Sequence, residues 1–194
     1  MSSICVYCGS SPGSDPAFLR AAREIGMLIA RRGHTLVYGG GNVGLMGAVA
    51  DAAMAAKGRV IGVIPDHLER KELAHGGLTK LHVVPSMHER KALMASLADA
   101  FLALPGGVGT LEEIIEAFVW TQLGLHAKPC AFLNVNGYYD PLVAFLTHMT
   151  DSRFLRPEQL SQLIVARDPS EALERLLSTT PIPIEKWMDR KQTG

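Results

Sequence analysis

Hydrophobic positions along the chain follow two alternating patterns. Short apolar runs, "ICVYCG", "TLVYGG", "RVIGVIP", "LTKLHVVP", "AFLALP", "KPCAFLNV" and "QLIVA", read as seven strands. Between them lie stretches whose apolar residues recur at helical spacing. The first, 15–32, sets Phe18, Leu19, Ala22, Ile25, Leu28 and Ile29 on one face, and Gly33 stands where a helix stop belongs. Further helices are predicted over 45–57, 87–98, 110–123, 141–150 and 169–177, with an irregular polar stretch over 66–77. Uninterrupted apolar strands are buried on both faces, the condition of a parallel sheet. Strands alternating with helices imply right-handed βαβ crossovers. The pattern predicts a single-domain, Rossmann-like α/β fold, a doubly wound parallel sheet with helices on both faces. One domain would span 1–194, with 179–194 an extended tail, holding Pro181 and Pro183, that wraps an edge or a partner.

Composition narrows the function classes. With 194 residues, 47% of them hydrophobic, the chain can bury a sizeable core. Nineteen basic and nineteen acidic residues cancel, so no global field recruits nucleic acid or an anionic membrane. No apolar run approaches the roughly 20 residues that span a bilayer. The start lacks the basic region of a signal peptide, so a cytoplasmic protein is expected. Three cysteines imply no disulfide framework. Cys5 and Cys8 form a C-x-x-C, but three positions apart on a strand they point to opposite faces and read as core. The seven histidines show no paired-ligand spacing, so no metal is expected.

Two glycine clusters carry the candidate chemistry. "YGGGNVGLMG" satisfies G-x-G-x-x-G through Gly39, Gly41 and Gly44, between a predicted strand and helix, and offers Gly40, Gly41 and Gly44 to a phosphate. It follows the second strand rather than the first, which argues against an NAD site. "LPGGVGTLEE" turns the fifth strand into a helix, and Gly106, Gly107 and Gly109 permit a close ligand approach. The helix start aims its free N–H groups and partial positive charge into that space, with the Thr110 hydroxyl as a further donor. Glu113 has two readings here: the distal half of a T-x-x-E capping box with Thr110, or a catalytic carboxylate. A third element, "PSMHERKALM", puts Arg90 and Lys91 near a helix N-terminus, where cations oppose the macrodipole. Such a local misfit points to function.

With "MHERK" and "PGGVGTLEE" both in view, the chain resembles the LONELY GUY (LOG) family, the cytokinin-activating phosphoribohydrolases often mislabelled lysine decarboxylases. The signature P-G-G-x-G-T-x-x-E is met by Pro105, Gly106, Gly107, Gly109, Thr110 and Glu113. The element M-H-x-R-K is met by Met87, His88, Arg90 and Lys91. The resemblance runs over nearly the whole chain, through "YGGGNVGLMG", "GLTKLHVV" and "WTQLGLHAKP". It implies a nucleotide-binding domain that hydrolyses the N-glycosidic bond of an adenine-type nucleoside 5′-monophosphate, AMP or a cytokinin nucleotide, with no cofactor. It implies Arg90 and Glu113 as the catalytic pair, with Glu72, Met87, Lys91 and the loop from Gly107 to Glu113 on the substrate. It also implies a homodimer with the site near the interface. Val119 stands where plant members often place a substrate-contacting threonine. A carboxylate suits the oxocarbenium character that develops when a ribosyl bond breaks. Arg90 would hold the phosphate-sugar unit or offset charge on the departing base. The alternatives are a non-catalytic nucleotide carrier on the same scaffold, and an NAD(P)-dependent enzyme. Pyridoxal phosphate chemistry lacks a suitable context at Lys91 or Lys128.

Overall fold

The protein is described by a computed structural model that covers residues 1–69 and 74–182. Seven strands form one parallel sheet: β1 (Ser3–Tyr7), β2 (Thr35–Tyr38), β3 (Arg59–Pro65), β4 (Lys80–Val84), β5 (Ala100–Ala103), β6 (Cys130–Leu133) and β7 (Leu163–Ala166). They lie in the order β4-β3-β2-β1-β5-β6-β7. The helices are α1 (Pro16–Arg31), α2 (Gly44–Ala55), α3 (Asp66–Glu69), α4 (Met87–Leu97), α5 (Val108–Gln122), α6 (Asp140–Asp151), α7 (Pro157–Leu160) and α8 (Pro169–Ser178). The doubly wound fold expected from the apolar runs is the fold observed. Two short helices, α3 and α7, fall in segments whose polar composition predicted none.

Alternation along the strands divides the core. Ile4, Val6 and Cys8 pack with α1, α2 and α8 on one face, whereas Cys5 and Tyr7 pack with α4, α5 and α6 on the other. Cys5 and Cys8 therefore stand on opposite sides of the sheet, and both thiols are free and buried. Among the described residues no group of histidines, cysteines and carboxylates could hold a metal ion, and no helix is long and apolar enough to cross a membrane.

The direction of chain growth positions the site. From β1 the sheet grows one way through β2, β3 and β4, then the chain returns beyond β1 to add β5, β6 and β7. The carboxyl ends of β1 and β5 thus diverge into helices on opposite faces and leave a crevice, where ligands bind in open α/β sheets. Backbone bonds stitch its rim: Gly9 N donates to Pro105 O (3.1 Å), and Leu45 N donates to Gly9 O (3.0 Å). Gly44 adopts φ +54° and lies so close to the Ser10–Ser11 backbone that any side chain would collide with it. This glycine serves the close packing of the β1 and β2 loops.

Candidate active site

Each wall of the crevice comes from the residues just past a strand. Tyr7 ends β1 and Cys8, Gly9 and Ser10 follow it, Gly39 follows β2, and Gly107 to Glu113 follow β5. Met87 and Arg90 come from α4, and Met46 and Leu68 add apolar surface. The cleft holds about 240 Å³ and shares Gly9, Ser10 and Gly107 with a neighbouring hollow of about 310 Å³ beside Phe18 and Tyr138. A larger groove of about 650 Å³ lies between α1 and α2, lined by Ala48, Ala52, Ala55 and Ala56 with Arg20 and Arg23. It lacks a helix N-terminus and a buried ion pair, so the smaller cleft is the stronger candidate.

The start of α5 excludes the capping-box reading of Glu113. The T-x-x-E pattern places the cap at Thr110, but the helix begins at Val108 with Gly107 as N-cap and no side chain capping it. Thr110 is then the third helical residue, and Glu113 is too far along the helix to close a box. The first intrahelical bond runs from Leu111 N to Gly107 O (3.1 Å). The amides of Val108, Gly109 and Thr110 precede it and present the positive helix end to the cleft, a geometry suited to an anion. Thr110 is buried against Gly106, whose missing side chain leaves room for the Thr110 hydroxyl. Two tyrosines brace this turn from below. Tyr139 Oη donates to Leu104 O (2.6 Å), and Tyr138 Oη donates to Gly106 O (2.5 Å).

Glu113 meets Arg90 instead. Arg90 Nη1 donates to Glu113 Oε1 at 2.5 Å, with both side chains about a tenth exposed. Arg90 Nε donates to Val63 O at 3.1 Å, so the guanidinium is fixed on two edges. This explains the arginine near the N-terminus of α4: its charge turns into the core toward a carboxylate rather than resting against the helix dipole. Ser86 caps α4, its Oγ accepting from Glu89 N (3.2 Å). Burial pushes the Glu113 carboxyl above the usual carboxylate range, and the charge and hydrogen bond of Arg90 partly oppose that rise. The site therefore holds a desolvated carboxylate one helical turn from a helix end whose free amides suit an anion.

The remaining expected residues divide. Lys91 does not line the cleft; its Nζ binds Glu112 Oε1 (2.5 Å) and Glu116 Oε1 (3.1 Å). Burial works to lower the Lys91 ammonium, but the two carboxylates outweigh it and leave it raised. Gly106 packs behind the loop, while Gly107, Gly109, Thr110 and Met87 line the cleft. Gly40, Gly41 and Gly44 do not line it. Gly40 O accepts from His75 N (3.1 Å), Gly41 bridges to Ala74, and Gly44 lies on Ser10. Glu72 lies outside the described residues. Val119 is on an exposed stretch of α5 away from the cleft lining. Gly39, the first glycine of the G-x-G-x-x-G pattern, does line the cleft, whereas sequence reasoning assigned no ligand role to Cys8, Gly9 and Ser10, although the turn "CGSS" ends the first strand, where the switch-point rule places a ligand.

Comparison with known proteins agrees with this architecture. A family model described as "Possible lysine decarboxylase" matches residues 46–176. A protein of Rhodococcoides fascians named cytokinin riboside 5′-monophosphate phosphoribohydrolase is 49% identical over 91% of this chain and 89% of its own. A rice (Oryza sativa subsp. japonica) protein named as a probable enzyme of the same kind is 45% identical, over 92% of this chain and 73% of its own. Among solved structures, a molybdenum cofactor binding protein from Rippkaea orientalis superposes with a TM-score of 0.69 at 26% identity, covering 91% of this chain and 96% of that one. The chain belongs to the family that this model describes, the LOG family, in which these relatives carry the phosphoribohydrolase name.

Proposed function

We propose that this protein hydrolyses the N-glycosidic bond of adenine-type nucleoside 5′-monophosphates, cytokinin riboside monophosphates, AMP or both, releasing the free base and ribose 5-phosphate. The observation that carries the reading is the buried Arg90–Glu113 pair, set one turn inside an uncapped helix start. The names of the relatives supply the reaction class. The 5′-phosphate would sit on the amides of Val108, Gly109 and Thr110, where the helix end favours negative charge. Three residues of helix rise, about 4.5 Å, separate Thr110 from Glu113 and bring the carboxylate level with the ribose. Phosphate binding thus positions the sugar, and remote binding energy becomes orientation at the reacting carbon.

As the C1′–N9 bond breaks, positive charge grows on the sugar and the base leaves with the bonding pair. The Glu113 carboxylate stabilises that charge and takes a proton from the water whose oxygen adds to C1′. The proton that Glu113 takes is returned to solvent and the departing base takes one up, so the net change is one water consumed. Arg90 aims Glu113 and opposes the effect of burial on its charge. Met46, Leu68 and Met87 offer the apolar surface on which a purine would rest.

Pyridoxal phosphate, suggested by the description of the family model, does not fit. Among the described residues no lysine lines the cleft; Lys91 is held by two carboxylates, and Lys128 Nζ donates to Ala95 O. No step is assigned to that group. The remaining parts of the reading are a cytoplasmic homodimer acting as one nucleotide-binding domain without a cofactor. Exposed Met87 on α4, Val119 on α5 and Leu123 just past it support the dimer.

The test is incubation with AMP and with N6-isopentenyladenosine 5′-monophosphate, followed by chromatography for free base. Base released from either supports the reaction. Binding of both by calorimetry with the nucleotides recovered intact would replace it with the carrier reading.

A further inference from the structure

Gly39 stands immediately after β2 and forms part of the cleft wall. The volume a side chain would fill there is taken by the guanidinium of Arg90. A Cβ built on Gly39 overlaps Arg90 Nη2, and it comes within 3.4 Å of Arg90 Cζ and 3.2 Å of Met46 Sδ. The backbone does not demand glycine, because Gly39 is absent from the residues with positive φ. Neighbouring Gly40 and Gly44 do have positive φ, at +79° and +54°. The contact that most strongly excludes a side chain at position 39 is therefore the one with the arginine of the ion pair, and Met46 Sδ adds a milder one.

We propose that Gly39 is a positioning residue, a seat that lets the Arg90 guanidinium lie flat against the end of β2 and hold Glu113 in the cleft. The guanidinium has three edges. Nε is bound to Val63 O (3.1 Å), Nη1 to Glu113 Oε1 (2.5 Å), and Nη2 occupies the space beside Gly39. A methyl at 39 pushes on the third edge, so the group can move only by loosening one of the other two. Either movement draws Nη1 away from Glu113 or tilts it. The overlapping atom is the far end of a flexible side chain, so the fold absorbs the change at small cost. The geometry at the carboxylate does not. Gly39 thus acts through Arg90 and Glu113 rather than through the nucleotide.

The activity readout rests on the proposed hydrolase reaction, so the experiment has a second arm that does not. In the first arm Gly39→Ala and Gly39→Ser are compared with wild type for base release. A misplacement of about 1 Å costs on the order of 100-fold, so kcat is expected to fall by ~10- to 100-fold. KM should change little, because the phosphate subsite is untouched. The acid limb of the pH–rate profile should move upward, because Glu113 loses part of the counter-charge that opposes its burial; a change of packing alone would leave it in place. The control is Gly76→Ala, a position with open space around it, which should match wild type.

The second arm is a thermal-unfolding cycle of wild type, Gly39→Ala, Arg90→Ala and the double variant. Gly39→Ala should lower Tm when Arg90 is present and have no effect when position 90 is alanine. Equal losses in both backgrounds would overturn the proposal, as would full activity of Gly39→Ala with an unmoved acid limb. Wild-type protein that releases no base, with coupling still present in the unfolding cycle, would refute the hydrolase reading and leave the seat intact.

Discussion

Truncating Arg90 to alanine probes the site where its energetics are most exposed. The change deletes the Nη1–Oε1 bond to Glu113 and the Nε bond to Val63 O, leaving a carboxylate and a carbonyl buried without their partner. The two side chains are 11% and 10% exposed, so solvent screens little of the interaction. Removing one member of such a pair costs about 3–5 kcal/mol. For a chain of this size each kcal/mol corresponds to about 2–4 °C, so Tm should fall by roughly 6–20 °C near neutral pH. The loss should depend on pH in a fixed direction. Burial already holds the Glu113 carboxyl above its ordinary range in the folded chain, and without Arg90 it rises further. A carboxyl raised by folding destabilises the folded chain when ionised. That penalty is relieved as pH falls through the folded pKa and is gone below the unfolded value. The Tm difference between wild type and Arg90→Ala should therefore narrow from pH 8 to pH 5. Melts of wild type, Arg90→Ala, Glu113→Gln and the double variant at both pH values complete the test. The double variant should lose less than the sum of the singles. Additive losses, or a difference that does not change with pH, would refute the reasoning that the two groups form one buried unit.

Two further outcomes are expected of the same site. In the wild type, turnover needs ionised Glu113, so kcat/KM should fall as pH drops, with an acid limb above the usual carboxylate range; a limb at or below that range would contradict the burial of the catalytic carboxylate. Tyr138→Phe removes the hydroxyl bonded to Gly106 O at the glycine turn. A single hydrogen bond of this kind contributes about 1 kcal/mol, so KM should rise about fivefold with kcat near wild type, and an unchanged KM in steady-state kinetics would show that the tyrosine does not set the loop.

Much of this was legible in the sequence, and the failures have physical causes. β3 was read residue for residue because seven positions of mostly apolar character end at Pro65, whose ring marks the strand end. The start of α5 was misplaced by two residues. Gly107 and Gly109 are poor helix formers, so local propensity put the boundary at Thr110, whereas the tertiary bracing of Leu104 and Gly106 by two tyrosines lets the helix begin at Val108. That shift also removes the capping-box reading of Glu113. The union of Arg90 with Glu113, across 23 positions, was not available from spacing; the family resemblance supplied the pair and the fold supplies the contact. The β1 loop was missed as part of the site because its meaning comes from strand order. Only when β5 is known to lie beside β1 do "CGSS" and "PGGVGT" face one crevice. Gly41 and Gly44 belong to the G-x-G-x-x-G pattern, yet Gly44 packs on the Ser10–Ser11 backbone, Gly41 bridges to Ala74, and Gly40 beside them packs on Val63, Ile64 and Leu81.

The most direct measurement is base release by wild type and Glu113→Gln at equal nucleotide saturation, with binding followed in parallel by calorimetry. Wild type should convert AMP or its N6-isopentenyl analogue to free base, while Glu113→Gln binds the same nucleotides with near-native affinity and releases no base above background. Release by Glu113→Gln at the wild-type rate would contradict the assignment of the carboxylate at position 113 to the chemistry.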